Sequence, residues 1–181
     1  MPNWCGNTMT VTGEPDKVSK FTKDFKEKGF ACIGDAPTLE DNDENVDNTW
    51  YEWRMQFWGV KWNVTDDLEI LEEDTDSFVV WFNTAWRDPE EFIKRASLKY
   101  RVTIENQYDE PGMGFYGYYK VVDGIIEEEY VINDNDFKQE PEVLEKIFGS
   151  VEQAYEYFDT LFEEDMAEEI KDTRKYLKGL L

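Results

Sequence analysis

Ser77–Tyr108 reads SFVVWFNTAWRDPEEFIKRASLKYRVTIENQY, and three segments with different periods follow one another in it. Phe78, Val79, Val80, Trp81 and Phe82 form a β-branched and aromatic run, which predicts a strand over Ser77 to Trp86. Asp88-Pro89-Glu90-Glu91 then offers an N-cap, a proline at the first helical position and a capping-box glutamate. Phe92, Ile93 and Ala96 supply the inward stripe of the helix that follows, and Arg101 to Tyr108 is the next strand. Toward the amino terminus a strand and a helix recur. Asn7 to Gly13 alternates Met9 and Val11 with three threonines, and Pro15 opens a helix carrying Val18, Phe21 and Phe25 until Gly29.

Gly34 to Asn48 is rich in carboxylates, including Asp35, Glu40, Asp41, Asp43, Glu44 and Asp47, and is expected to be a surface loop. The dense aromatic stretch Thr49 to Trp62, broken by Gly59, predicts a strand with a bulge or turn, and the acid-rich Asp66 to Asp76 joins it to the next strand. Downstream, Tyr116 to Val122 and Ile125 to Ile132 flank Asp123-Gly124, a type I′ hairpin signal. Pro141 opens a short helix to Phe148. Ser150 and Gln153 then form a capping box for one long amphipathic helix reaching Leu181, with Val151, Tyr155, Phe158, Phe162, Met166, Ile170 and Leu177 on its apolar face. The resulting fold class is α+β: a ferredoxin-like split βαβ antiparallel sheet extended by a C-terminal hairpin, plus a long acidic C-terminal helix. Residues 1–132 form the sheet domain, and residues 133–181 a helical appendage packed on it.

Charge bounds the partners. The 181 residues hold 42 Asp and Glu against 19 Lys and Arg, with no histidine, for a formal charge of -23. Such a chain repels nucleic acid and anionic membranes and attracts basic protein surfaces. An aromatic content of 16% with seven Trp separates it from acidic disordered chains, despite a mean hydropathy of -0.72. Cys5 and Cys32 are too few for a disulfide framework and lack zinc spacing, so both are assigned to packing in a reducing cytoplasm. No leader or membrane span is evident.

Four segments stand out in order: Pro2-Asn3-Trp4-Cys5-Gly6-Asn7, Trp58-Gly59-Val60-Lys61-Trp62-Asn63, Asn83-Thr84-Ala85-Trp86 and Asp109-Glu110-Pro111-Gly112-Met113-Gly114-Phe115-Tyr116-Gly117. Together they resemble the YubB ferredoxin-like family of plasmid and phage proteins over roughly residues 1 to 130. The resemblance implies a ferredoxin-like fold without iron–sulfur chemistry and a gene carried on mobile elements. Small acidic proteins of such elements resemble inhibitors of host defence, anti-CRISPR proteins among them.

The missing histidine excludes His-dependent triads, leaving carboxylate–metal, Lys or Tyr chemistry for any enzyme. Glu105, Asp109 and Glu110 are the candidate carboxylates for Mg²⁺-assisted phosphodiester cleavage, with Lys61 or Arg87 contacting phosphate. No other cofactor is expected. The aromatic cluster can be a stacking platform for bases, but without a basic groove core packing is the favoured reading. Gly112, Gly114 and Gly117 lack phosphate-loop spacing, and are read as letting a strand bend or admitting a large ring. The acidic ridge of Glu152, Glu156, Asp159, Glu163, Glu164 and Glu168, with Asp41, Asp43 and Glu44 of the loop, is the candidate partner-binding surface. Carboxylates on successive helical turns recur every ~5.4 Å, against one charge per ~1.7 Å of duplex DNA, so the ridge is a sparse mimic of nucleic acid. The leading expectation is an acidic inhibitor that binds a basic host defence nuclease, such as a type II CRISPR effector, and blocks nucleic-acid loading. It would bind no nucleic acid alone. The alternatives are a Mg²⁺-dependent phosphodiesterase that truncates the effector's guide RNA, and a plasmid-maintenance binding module.

Overall fold

The computed structural model describes residues 3–35, 50–65, 68–133, 141–161 and 168–181, the side chains of 161, 168–172 and 174 apart. Its centre is a six-stranded antiparallel sheet of β1 (Trp4–Thr12), β2 (Glu69–Glu73), β3 (Ser77–Ala85), β4 (Thr103–Glu110), β5 (Phe115–Val122) and β6 (Ile125–Asn133), in the order β2-β3-β1-β4-β5-β6. The central strand β1 pairs β3 from Trp4↔Ala85 to Thr12↔Ser77, and β4 from Gly6↔Asp109 to Thr12↔Thr103. Alternation decides the two faces. Cys5, Met9 and Val11 of β1, Phe78, Val80 and Phe82 of β3, and Ile104 of β4 point to one side, where α1 (Pro15–Lys28) and α3 (Glu90–Tyr100) cover them with Val18, Phe21, Phe25, Phe92, Ile93 and Ala96.

The other side carries a second core. Tyr116 and Tyr118 of β5 and Ile132 of β6 pack under Leu144 and Ile147 of α4 (Pro141–Phe148), Val151, Ala154 and Phe158 of α5 (Val151–Leu161), and Leu177 of α6 (Glu168–Leu180). The hairpin turn between β5 and β6 has Asp123 at φ 49° and Gly124 at φ 80°, the pair of left-handed residues a type I′ turn needs. Gly117 admits a ring as expected: a Cβ there would lie 2.3 Å from the Tyr108 Oη.

Four expectations are corrected. Thr49 to Trp62 is not a strand: Trp50–Phe57 is a helix, α2. Its aromatics stand three and four apart, so Trp53 stacks on Phe57 at 4.5 Å and Arg54 lies 5.4 Å from the Trp50 ring. The stretch Asp66 to Asp76 contains β2, exposed at all five positions and therefore without an apolar period to betray it. Asp88 does not cap α3: Pro89 occupies the cap without a side-chain hydrogen bond, while Asp88 is buried. The helix expected from Ser150 to Leu181 is two elements, α5 and α6, and Leu177 comes back into the cluster that holds Ala154 and Phe158. Nineteen residues of one straight helix would separate Leu177 from Phe158 by about 28 Å, so the shared cluster requires a return. Only the near half of the capping box forms, Gln153 N–H donating to Ser150 Oγ at 3.1 Å.

Candidate functional site

The four sequence segments converge at the end of the sheet where β1 begins and β3 ends. Trp4 pairs Ala85 across the two strands, and Trp86 N–H donates to the Asn3 carbonyl at 2.9 Å. Trp86 holds φ 68°, a left-handed conformation that costs a bulky residue about 1–2 kcal/mol. The Glu110–Gly114 turn lies alongside, its Gly112 close to the Asn3 amide. The turn after α2 is pinned from within. Trp58 is fully buried and its indole N–H donates to Gly34 O at 3.1 Å, while the Trp58 carbonyl accepts from Phe92 N–H at 3.2 Å. Asn63 closes the turn by accepting from Phe30 N–H and donating to Lys28 O, at 2.6 and 2.8 Å.

These anchors leave three indoles in a row on the surface. Trp4 and Trp62 have ring centroids 6.0 Å apart, and Trp62 stacks on Trp86 at 5.8 Å. They are 51%, 38% and 46% exposed. Lys61 Nζ lies 4.8 Å from the Trp62 ring centre and 5.6 Å from that of Trp86. A cleft of about 290 Å³ opens beside the row, lined by Trp4, Trp62, Thr65, Asn83, Thr84 and Ala85 among others. The core-packing reading of the tryptophans therefore holds for Trp58 but not for Trp4, Trp50, Trp62 and Trp86, which are all exposed. A signal was present: Trp4, Trp62 and Trp86 each sit at or next to a strand end or turn, where a ring has no opposing layer to enter.

Under the row runs a chain of buried polar side chains. Asn7 donates to Thr84 Oγ1 at 2.8 Å and to Cys5 O at 2.9 Å, and Asn106 donates to Asn7 Oδ1 at 3.1 Å and to Tyr119 Oη at 3.4 Å. Tyr119 O–H in turn donates to Asp88 at 2.9 Å. Burial pushes the Asp88 carboxyl above its ordinary value, against the opposing pull of the Tyr119 hydrogen bond and of Arg87. Burial likewise raises Asp109, which accepts from Tyr157 O–H of α5 at 2.7 Å. Both thiols are buried; burial pushes Cys32 up to about 12 and Cys5 up strongly, leaving neither a thiolate near neutral pH.

The two raised aspartates set a sign for pH dependence. A carboxyl raised in the fold stabilises it below the ordinary aspartate value, and that contribution is lost as pH rises through the raised value. Asp88→Asn keeps an acceptor for Tyr119 and has no charge to desolvate. The advantage of the variant over the wild type in urea unfolding should therefore grow as pH rises toward neutral, with the curves converging on acidification. Parallel curves across that range would refute the assignment.

The candidate carboxylates do not share one face. Glu105 accepts from Tyr118 O–H at 2.8 Å and Asp109 from Tyr157, both on the α4–α5 side. Glu110 turns to the opposite side, where it is 1% exposed and accepts from Gly112 N–H at 3.1 Å. Among the described residues no group of three Asp, Glu, Cys or His is placed to hold a metal ion. Lys61 Nζ lies over the indole row, and Arg87 is exposed next to Trp86 in the chain. Of the acidic ridge, Glu152, Glu156 and Asp159 are exposed on α5. Glu163 and Glu164, the side chain of Glu168, and Asp41, Asp43 and Glu44 lie outside the described residues. No helix among the described residues is long and apolar enough to cross a membrane.

This architecture has a solved counterpart in the crystal structure of a protein api92 from Yersinia pseudotuberculosis. The two superpose with a TM-score of 0.57 at 10% sequence identity, covering 74% of this chain and 99% of that one, a likeness of fold. No curated protein matches the sequence. The sequence model of the family described as "Ferredoxin-like domain in Api92-like protein" matches residues 57–173, from the end of α2 into α6. The ferredoxin-like family expectation is thereby met, and the chain belongs to the family of ferredoxin-like domains in Api92-like proteins.

Proposed function

We propose that the protein is a stoichiometric binder of a basic, nucleic-acid-handling host protein, acting in the cytoplasm on behalf of a mobile element. The observation that carries this is the acid excess, -23, together with the exposed carboxylates Glu152, Glu156 and Asp159 on one outer helix. In this reading the split βαβ unit is the scaffold and α5 presents the charge. Fields of this kind steer a basic partner and raise association rates by 10 to 10³, in approximate terms. The first partner to test is a type II CRISPR effector nuclease, whose guide-RNA channel must be basic to hold its ligand.

Guide loading onto the purified effector, measured by filter binding, should fall in proportion to added protein, and this inhibition, taken against effector and guide alone at the same salt, should weaken as salt is raised. Reversing Glu152, Glu156 and Asp159 to lysine should slow association about tenfold or more. Unchanged loading with wild-type protein rejects the reading. Guide RNA that shortens only in the absence of EDTA supports the phosphodiesterase instead. The hydrogen bonds that tie Glu105 and Asp109 to tyrosines, and the turn of Glu110 to the other face, favour binding over that alternative.

A further inference from the structure

We propose that the cleft beside Trp4, Trp62 and Trp86 is a binding site for a nucleoside phosphate, its base against the indoles and its phosphate toward Lys61 and Arg87. The proposal is independent of the basic-partner reading and concerns the opposite chemistry, a small anion. Three exposed indoles in contact, Trp62 stacked on Trp86 and Trp4 tilted by 40° against Trp62, are a large apolar expanse for a protein of this charge. A planar base can stack on an exposed indole face of this group whatever its identity, since every base has a π face. The cleft, about 290 Å³, lies at the lower limit of the ~300–1,000 Å³ usual for small-molecule sites, room for one ring system.

Charge selects the ligand further. Lys17, Lys26, Arg54, Lys94, Arg95 and Lys146 all stand against carboxylates. Lys61, over the indoles, and Arg87, next to Trp86 in the chain, make no ion pair among the described residues; Lys20 and Lys23 make none either, so it is the place of these two beside the indoles that matters. With Lys61 already over two indoles, an incoming guanidinium or ammonium is repelled and an anion attracted. The Asn83 side chain lines the cleft and makes no hydrogen bond among the described residues, leaving an amide donor and acceptor for a base edge. The site is also held rigidly. The left-handed backbone of Trp86 is fixed by its bond to Asn3 O, and the Arg87 carbonyl accepts from Thr84 Oγ1 at 2.7 Å. Backbone strain maintained in this way concentrates at binding sites. The total charge of -23 disfavours a long strand, so the free nucleotide is the source chosen here over a strand end.

The test is titration of the full chain with AMP, GMP, CMP and UMP, with adenosine, and with a decauridylate, followed through the indole N–H cross-peaks in ¹H–¹⁵N spectra. At least one monophosphate should saturate the Trp4 and Trp62 signals while buried Trp58 stays in place. Removing both cations, Lys61→Ala with Arg87→Ala, should weaken binding about tenfold, and adenosine should bind more weakly than AMP. Asn83→Ala, which leaves the indole row intact, should change the ranking of the four bases. The proposal is overturned if no monophosphate shifts these signals, if adenosine equals AMP, or if only an acidic aromatic peptide such as Asp-Trp-Asp does so. Decauridylate binding tighter than UMP at low salt would overturn the free-nucleotide source.

Discussion

Replacing Gly29 by alanine should cost about 3–5 kcal/mol of stability, the range of severe backbone clashes, and lower the melting temperature by roughly 10 °C or more. Gly29 ends α1 at φ 57°, where a side chain is already strained. A Cβ at this position would also lie 1.7 Å from the Val64 carbonyl oxygen, a backbone atom that cannot rotate away. Relief requires residues 63–64 to move, and Asn63 is the residue that clamps Phe30 N–H and Lys28 O. The loss should therefore reach the neighbouring Trp62, visible as a blue or red shift of indole fluorescence in whatever fraction remains folded. Gly179→Ala is the control: nothing lies within 4 Å of its added Cβ, and helix propensity favours alanine by up to about 1 kcal/mol. Equal melting of Gly29→Ala and wild type would overturn the clash with the Val64 carbonyl as the reason for glycine at this position.

Phe158→Ala should cost a similar ~3–5 kcal/mol, but by opening one layer. Phe158 is 1% exposed, with ring centroids 5.3 Å from both Tyr116 and Phe148 and 5.2 Å from Tyr157. These residues belong to the cluster under α4–α6, separate from the cluster under α1 and α3. Hydrogen exchange should accelerate in α4 and α5 while β1 and β3 keep their protection. The variant would also release Asp109 from Tyr157 and detach the helix that carries Glu152, Glu156 and Asp159. Uniform acceleration across all elements would mean that the two clusters unfold as one.

The sheet was legible wherever one face is buried: Met9 and Val11 in β1 could be placed from a period of two, and β3 from its continuous β-branched and aromatic run, whose buried members turned out to be Phe78, Val80 and Phe82. The strand β2 could not, since Glu69–Glu73 is exposed throughout and is held by the ladder to β3. Aromatic propensity misled at Trp50–Phe57, where the spacing of Trp53 and Phe57 was the better guide. Asp88 shows a different limit. Its place before Pro89 has the form of a cap, and only the arrival of Tyr119 from a distant strand turns it into a buried acceptor. Of the candidate site, the segments were visible in the sequence but not their meeting. Trp4, Trp62 and Trp86 are distant along the chain, and their stacking depends on the β1–β3 register and the Asn63 clamp.

Among the described residues the strand order leaves β2 and β6 at the margins of the sheet, each with a row of backbone donors and acceptors that no further strand takes up. Both are studded with glutamate: Glu69, Glu72 and Glu73 on one, Glu127, Glu128 and Glu129 on the other. A second sheet approaching either margin would set like charges side by side, which blocks edge-to-edge pairing.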